Sequence, residues 1–335
     1  MFAIGNLLSN GNGRWGFALA AVLLSWGLVR DAQAQNHCSA TSWLAYQSCQ
    51  HQIEADRWLA LGNCRNNSDL AERFACIAQA RDDFREAARL CTSQRRVRRD
   101  ICRSVGQAAY DPQIDPEDFV DFEAVLGGEA FTRNPYYPIV PGSFREYLVS
   151  DADGQVIERV RVEILEETRE IVGVQCIVVR DRVWEFNDDG EEEIIEDTLD
   201  WLAQNKTTHD VWYFGETVKD FDGGILFSVG GSFEHGQDSA KAGFWMVADP
   251  APGRFYRQEF DLGNAEDVAL VVSVGEETVT VPVGTYSDRV LKTKDSAPLD
   301  PGNFEFKYYA PEVGLIMELN PATGEKLELV EIGTS

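Results

Sequence analysis

The stretch CRNNSDLAERFAC, Cys64–Cys76, places a cysteine on each side of a turn and a helix start between them. Asn66-Asn67-Ser68-Asp69 breaks a helix-rich composition, and Asp69 with Glu72 has capping-box spacing. Residues 38–106 are dominated by Ala, Leu, Arg, Gln and Glu and hold no proline, so two helices are expected, at 39–62 and 69–105. Six cysteines stand at 38, 49, 64, 76, 91 and 102. Taken from the outside inward, each pair of positions adds to 140, as facing residues of an antiparallel hairpin do. Their intervals of 11 and 15 residues recur mirrored. At about 100° per residue these steps return to within about 20° and 60° of the start, so each helix shows its cysteines along one stripe. Of about 15 possible connectivities, this symmetry selects Cys38–Cys102, Cys49–Cys91 and Cys64–Cys76. The bridges stand in for the burial that two helices alone lack, each contributing about 2–4 kcal/mol. A zinc site would want C-x-x-C pairs or histidines at ligand spacing, and the segment has neither.

Upstream, Arg14 precedes the apolar run Trp15–Val29, and Ala32-Gln33-Ala34 fits a small-x-small cleavage site. The run is shorter than the roughly 20 residues a membrane-spanning helix needs. Residues 1–34 are therefore expected to be a signal peptide, with no membrane span after cleavage. The mature chain is expected in the bacterial periplasm or outside the cell, where disulfides persist.

Downstream the composition changes. Residues 35–118 hold 11 Arg, no Lys and 12 Asp+Glu, a net of −1, whereas residues 119–335 hold 17 Lys+Arg and 43 Asp+Glu, a net of −26. Only Cys176 lies in this second part, within a β-branched run that suits a buried thiol. Such acidity repels nucleic acid. YDPQIDPEDF, Tyr110–Phe119, reads as a linker or lead-in, giving a cysteine-rich hairpin over 35–109, a linker over 110–133 and an acidic domain over 134–335. RVRVEIL (Arg159–Leu165), VGVQCIVVRDRVWEF (Val172–Phe186) and later runs alternate between turns such as DADG, NDDG and NPATG. Roughly ten to twelve antiparallel strands follow, in a curved sheet, barrel or sandwich with one apolar and one acidic face. The fold class is α+β.

NPYYPIVPG (Asn134–Gly142), DTLDWLAQ with VWYFGE, ADPAPGRFYRQEF and KYYAPEVGLI resemble motifs of a family of bacterial secreted proteins. The likeness covers residues 134–317 and leaves out the cysteine hairpin. That family is functionally unassigned, so the resemblance implies a secreted β module and no activity. Glu312 stands where the family carries glycine, and Leu202 where it carries an aromatic.

No residue stands out as catalytic. Ser232, His235 and Asp238 crowd one glycine-rich loop, whereas a triad is assembled from distant segments. Asp151, Asp153, Asp188 and Asp189 sit in turns whose oxygens suit calcium but equally suit a hairpin. With no other cofactor indicated, calcium is the one candidate. Forty-three acids make chance carboxylate pairs inevitable, which dilutes a glycosidase reading. Tyr136, Tyr137, Trp201, Trp212, Tyr213, Trp245, Tyr308 and Tyr309 cluster in the motifs and are the candidate ligand-binding aromatics, as core or as the lining of a groove. Trp43, Tyr46, Trp58 and Phe74 are expected to fill the hairpin flanks or dock it on the second domain. RRVRRDICR, Arg95–Arg103, offers its charge to the helix dipole or to an acidic partner.

The reading that follows is an exported, non-enzymatic binding or interaction protein of the bacterial envelope, its envelope or extracellular partner unknown. The alternatives are an envelope hydrolase using a carboxylate pair, a calcium-binding module, or a spacer without a ligand. Non-reducing peptide mapping of the mature protein is expected to find the three nested bridges, with Cys176 as a free thiol. A bridge between sequence neighbours such as Cys38 and Cys49 would sink the hairpin.

Overall fold

The computed structural model describes residues 36–187 and 189–334; residues 1–34, expected to be a signal peptide, and Asp188 lie outside the described residues. Its six hairpin cysteines pair as the mirrored spacing requires, with Cα–Cα distances of 5.6, 5.8 and 5.5 Å from the outer to the inner bridge. They join helix α1 (His37–Arg65) to helix α2 (Leu70–Val105). The Asp69 carboxylate accepts the Glu72 backbone N–H at 2.8 Å, one half of the capping box. Glu72 turns its own carboxylate to the Asn67 side-chain amide at 2.9 Å instead. Helix α1 runs through Gly62, so the inner bridge is anchored on helical backbone rather than in the turn.

The hairpin docks on the second domain through the end away from its turn. There the Arg98 guanidinium and Glu266 carboxylate form a bidentate pair, at 2.9 Å from Nε and 2.6 Å from Nη2, with both groups almost fully buried. Gln94 donates to the Leu299 carbonyl at 3.0 Å. One arginine of the basic run thus meets its acidic partner within the same chain. The aromatic expectation for the hairpin needs correction. Trp43, Trp58 and Phe74 neither fill a flank nor dock; Trp58 and Phe74 are 63% and 64% exposed. Tyr46 alone is sheltered, under the Arg95 guanidinium at 4.9 Å.

The second domain holds the strands β1 (Ser143–Ser150), β2 (Val156–Ile171), β3 (Val174–Phe186), β4 (Glu192–Gln204), β5 (Val211–Thr217), β6 (Asp220–Asp222), β7 (Ile225–Ser228), β8 (Phe233–Glu234) and β9 (Lys241–Met246). Then come β10 (Phe255–Arg257), β11 (Glu259–Phe260), β12 (Val268–Val274), β13 (Val279–Val281), β14 (Gly284–Tyr286), β15 (Leu291–Ser296), β16 (Glu305–Ala310), β17 (Gly314–Leu319) and β18 (Lys326–Thr334). The number exceeds the expected ten to twelve because several pieces are only two to four residues long. All named pairs are antiparallel, and sixteen strands share one sheet.

Of the three shapes left open by the alternation, the sheet adopts a nearly closed barrel. Its path runs β10-β12-β15-β16-β17-β18-β1-β2-β3-β4-β5-β9-β11. The two ends, β10 and β11, are parts of one extended segment separated only by Gln258. That segment pairs first with β12 and then with β9, joining the two edges. Gly243 on β9 makes the approach possible: a Cβ there would stand 2.4 Å from the Gln258 carbonyl oxygen. Gly215 of VWYFGE serves β8 similarly, since at φ +147° its Cβ would meet the Phe233 carbonyl oxygen at 2.3 Å.

Residues 110–133 do more than link. Phe119 joins Ile171, Val174, Cys176, Val178, Trp201, Ala203, Phe214 and Ala242 in a cluster on one face of β3, β4 and β5. Val120 and Phe122, the latter opening helix α3 (Phe122–Leu126), join the main core with Tyr136, Ile139, Ile164, Ile177 and Leu202. The segment covers the barrel wall and then feeds its interior core. Proline and acid content marked it as a linker, but its alternate residues carry the apolar payload. Glu312 sits in a turn at φ +64°, a region where glycine is sterically easier, and its N–H bonds the Pro135 carbonyl at 2.7 Å.

Removing one partner of a buried, hydrogen-bonded ion pair strands the other charge and costs about 3–5 kcal/mol, whereas replacing both with apolar groups is often nearly neutral. Arg98→Met is therefore expected to lower stability by about that amount in urea unfolding, and Arg98→Met combined with Glu266→Leu to recover most of it. A single-variant loss below about 1 kcal/mol would show the pair to be solvated and the docking loose.

Candidate functional site

Residues directly opposite in an antiparallel pair point to the same face. Ile177 and Val179 of the main core face the interior. Val179 is opposite Asp200, which is opposite Glu216. Asp181, two residues from Val179, shares that face and is opposite Thr198. Across the barrel Tyr256 of the core is opposite Ala269, Ala269 opposite Asp295, and Asp295 opposite Glu305. Thr293, Lys307 and Glu318 form the next row. The acids therefore do not all lie on a solvated outer face, as the half-exposed sheet implied. One set of them points into the barrel.

Part of this inward set lines a cavity of about 340 Å³. Glu216, Glu259, Asp267, Asp295 and Glu305 bring carboxylates to it, and Lys307 brings the ammonium. Tyr213, Trp245, Phe304 and Tyr309 bring aromatic walls. The Tyr213 hydroxyl donates to Asp200 at 2.6 Å. Asp295 accepts from the Thr293 hydroxyl at 2.6 Å and the Gln258 amide at 3.1 Å. Lys307 Nζ lies 3.1 Å from Glu318 and 3.9 Å from Glu305.

Burial and mutual repulsion push these carboxyls upward. Desolvation raises Glu216 to about 8, assisted by Glu196, Asp267 and Asp181 against the Tyr213 hydrogen bond. Asp200 and Glu259 are held well above the carboxylate range, first by burial and then by neighbouring carboxylates. Asp295 is raised by burial despite Lys307 and its two hydrogen bonds. Lys307 goes the other way from an ordinary buried amine. Burial pulls its pKa down, but Glu318, Asp295 and Glu305 more than offset this and hold it protonated. Among acids, hydrolytic catalysis divides a pair into one protonated donor and one ionised base or nucleophile. Here the shifts of Asp200, Glu216, Glu259 and Asp295 all point the same way.

The eight candidate aromatics separate. Tyr213, Trp245 and Tyr309 meet at the cavity. Tyr136 is buried and donates to the Arg289 carbonyl at 3.1 Å. Tyr137 is buried edge-on against Trp245, with ring centroids 5.7 Å apart. Trp201 is packed in the wall cluster beneath Arg169, and Trp212 lies between Phe119 and Phe244. Tyr308 belongs to a third cluster with Tyr147, Val160, Ile316 and Leu329. The carboxylates and Lys307 of the cavity were missed as site residues. The signal that finds them is register joined to the inward face: Asp200 stands opposite Glu216 and Asp295 opposite Glu305 there, while like-charged pairs also occur elsewhere, at Glu146–Glu331 and Glu185–Glu193.

The remaining sequence candidates have structural jobs. His235 Nδ1 accepts the Ala242 N–H at 3.1 Å, and the Ser232 hydroxyl accepts the Val218 N–H at 2.8 Å. No triad joins them. Asp151 Oδ1 accepts the N–H groups of Asp153 and Gln155 at 3.0 and 2.9 Å. Asn187 does the same for Asp189 and Glu191 at 3.1 and 2.9 Å. Asp188 lies outside the described residues. Cys176 is fully buried, and desolvation raises its thiol.

No protein-family model matches the chain, and no curated protein matches it. Two solved structures are similar to it. One is a candidate exported protein with a YmcC-like fold from Bacteroides fragilis, 13% identical, covering 60% of this chain and 100% of its own, with a TM-score of 0.35. The other is a candidate lipoprotein from Parabacteroides distasonis, also 13% identical over 60% of this chain and 100% of its own, with a TM-score of 0.32. No helix among the described residues is long and apolar enough to cross a membrane. The three disulfides fit a chain that folds outside the reducing cytoplasm.

A carboxyl whose folded pKa exceeds its unfolded value binds more protons folded than unfolded between the two values. Its contribution is complete below the unfolded pKa and is lost as pH rises through the folded one. For Glu216 that window runs from the ordinary 4.5 to about 8. The ligand-free protein is therefore expected to lose melting temperature across it. Glu216→Gln should flatten the loss and be more stable than wild type at the upper end, by roughly 1–3 kcal/mol. Thermal unfolding of both proteins across the window tests this; stability that rises with pH there would refute buried, protonated carboxyls.

Proposed function

We propose that this chain is an exported, non-enzymatic binding protein of the bacterial envelope, and that its ligand seat is the polar cavity of the barrel. The observation that carries this is the placement of Asp200 against Glu216 and of Asp295 against Glu305 on the inward face. Directly opposed like charges destabilise a sheet, and local rules of this kind are broken mostly at functional sites. The aromatic walls give the seat the mixed apolar and polar lining of a small-molecule site, and its volume falls in the usual range. The resemblance to secreted β proteins and the expected signal peptide support export. They leave periplasm and exterior as alternatives, and the periplasm is our reading.

The hydrolase reading has one observation in its favour: Glu216 holds its proton near neutrality, as a general acid must. Glu216, Glu259, Asp267, Asp295 and Glu305 are all raised rather than divided into a donor and an ionised partner, so binding is preferred. The Asp151 and Asn187 turns are assigned to hairpin closure, since their side-chain oxygens already accept the backbone donors of the turn.

The test is to isolate the protein from envelope extract under native conditions and identify small molecules released on unfolding. A compound retained by wild type and lost from Trp245→Leu is the expected result. Equal retention by the variant would place the seat elsewhere. Conversion of the compound during incubation would make the protein an enzyme.

A further inference from the structure

We propose that the barrel cavity recognises a small organic ammonium ion, held between the carboxylates of Glu216, Glu259, Asp295 and Glu305 and the aromatic faces of Tyr213, Trp245 and Phe304. This rests on the reading of the cavity as a ligand seat and adds the class of ligand.

Charge comes first. Among the groups lining the cavity, Glu216, Glu259, Asp267, Asp295, Asp300 and Glu305 are acids, and Lys307 is the one base. An anion would meet repulsion from nearly every side. A cation would replace repulsion between carboxylates with attraction to each of them. Lys307 is a precedent within the same wall: a primary ammonium already held there by Glu318 and Glu305.

A second observation is independent of the lining acids. The Tyr137 hydroxyl and Asp181 Oδ1 are enclosed in the barrel without a hydrogen-bond partner. Tyr137 is more than nine-tenths buried, its ring packs on Trp245 of the cavity wall, and its hydroxyl lies within the electrostatic reach of Asp200 and Asp181. Buried polar atoms are nearly always paired in folded proteins. Neither residue lines the cavity itself; through Trp245 the Tyr137 ring backs its wall, so the two unpaired atoms mark unsatisfied polar capacity in the interior layer behind the seat.

Organic rather than inorganic follows from spacing and from the walls. Among the described residues no three His, Cys, Asp or Glu groups come together as metal ligands. A bare divalent ion needs its oxygens within a single short coordination sphere, whereas an ammonium ion on a carbon frame can engage carboxylates spread around a cavity. Its carbon frame suits the aromatic walls, and its charge is attracted to their π faces.

Entry of the cation should re-ionise Glu216. The groups that face Glu216 are Glu196 and Asp200 on β4, Asp181 on β3, Tyr213 on β5, Glu259 on β11 and Asp267 before β12, with Lys307 the cation across the cavity. Of these the Tyr213 hydrogen bond favours the ionised form, but burial and the neighbouring carboxylates outweigh it, so in the ligand-free protein the proton stays. Binding then releases it, and each proton released makes affinity fall about tenfold per pH unit below the free pKa.

The experiment is isothermal titration of the full mature protein with putrescine and with choline, against glucose, calcium chloride and sodium chloride of matched ionic strength. Saturable one-to-one binding of at least one amine is expected. It should weaken about fivefold from pH 8 to pH 7 and about tenfold more from pH 7 to pH 6, and show a heat that varies with the ionisation enthalpy of the buffer. Glu259→Gln and Trp245→Leu, each checked for a native spectrum and melting transition, should weaken it at least about tenfold. Two variants of different chemistry guard against one failing to fold. Amine binding untouched by both would be diffuse surface attraction and would overturn the proposal. Saturable binding of glucose or calcium, but of neither amine, would overturn the ammonium class while leaving the cavity as a seat. Binding of no probe at millimolar concentration, with envelope-isolated protein also empty, would overturn both readings.

Discussion

The structure depends on one closure. Residues 255–260 pair with β12 and then with β9, so a single extended segment ties together the two edges of a long sheet. An open sheet of this length would expose unpaired edges and could let one face meet water. Once closed, much of the inward face is taken from bulk solvent, whatever its chemistry, although Glu305 and Lys307 at the cavity keep part of their exposure. Gly243 is the local requirement, because no side chain fits between β9 and the backbone of Arg257 and Gln258. Closure also sets the division of the interior. Phe122, Tyr136, Ile139, Ile164 and Leu202 fill part of it, and the rest is lined by carboxylates.

Burying so many acids costs stability, and the compensation comes from outside the barrel as well as within it. Ile114 and Phe119 cover an apolar patch on the wall that would otherwise be wetted. The hairpin docks through Arg98, which neutralises Glu266 at the edge of the same region. The hairpin itself gains little from packing, as the exposure of Trp58 and Phe74 shows, and relies on its three covalent rungs. Its stiffness therefore depends on redox state rather than on the barrel.

The helical hairpin was almost fully legible in the sequence, because a disulfide ladder imposes arithmetic on cysteine positions that survives any change in the residues between. Asp69 and Glu72 gave the helix start for the same reason: a cap is a local rule. The strands were legible as strands, but barrel closure was not, since it depends on contacts between β9 and residues 255–260 and on a glycine whose role is steric. The segment 110–133 misled because proline and acid are read as surface signals, while Phe119, Val120 and Phe122 carry its packing. The site was legible in part. Tyr213, Trp245 and Tyr309 stood out as aromatics in motifs, yet Tyr136, Tyr137, Trp201, Trp212 and Tyr308 stood out equally and lie off the cavity lining. Glu216, Glu259 and Asp295 were hidden among many acids, and only pairing register separates the inward ones.

That separation changes what the composition means. On the outer face, acids are matched with arginines: Arg159 with Glu192, Arg180 with Asp197, and Arg161 and Arg182 with Glu163. The arginine hydrogen bonds hold Glu192 and Asp197 low, and they hold Glu163 low against its burial. On the inward face the same residue types are held high by burial and by one another. One acidic composition thus contains two populations, one that ionises early and stabilises the sheet, and one that resists ionisation and strains it. A formal charge of −26 counts both alike. In the folded chain near neutral pH the inward carboxyls keep part of their protons, so the real charge is less negative than the formal one. The missing charge is concentrated in the cavity, where its return would be felt most.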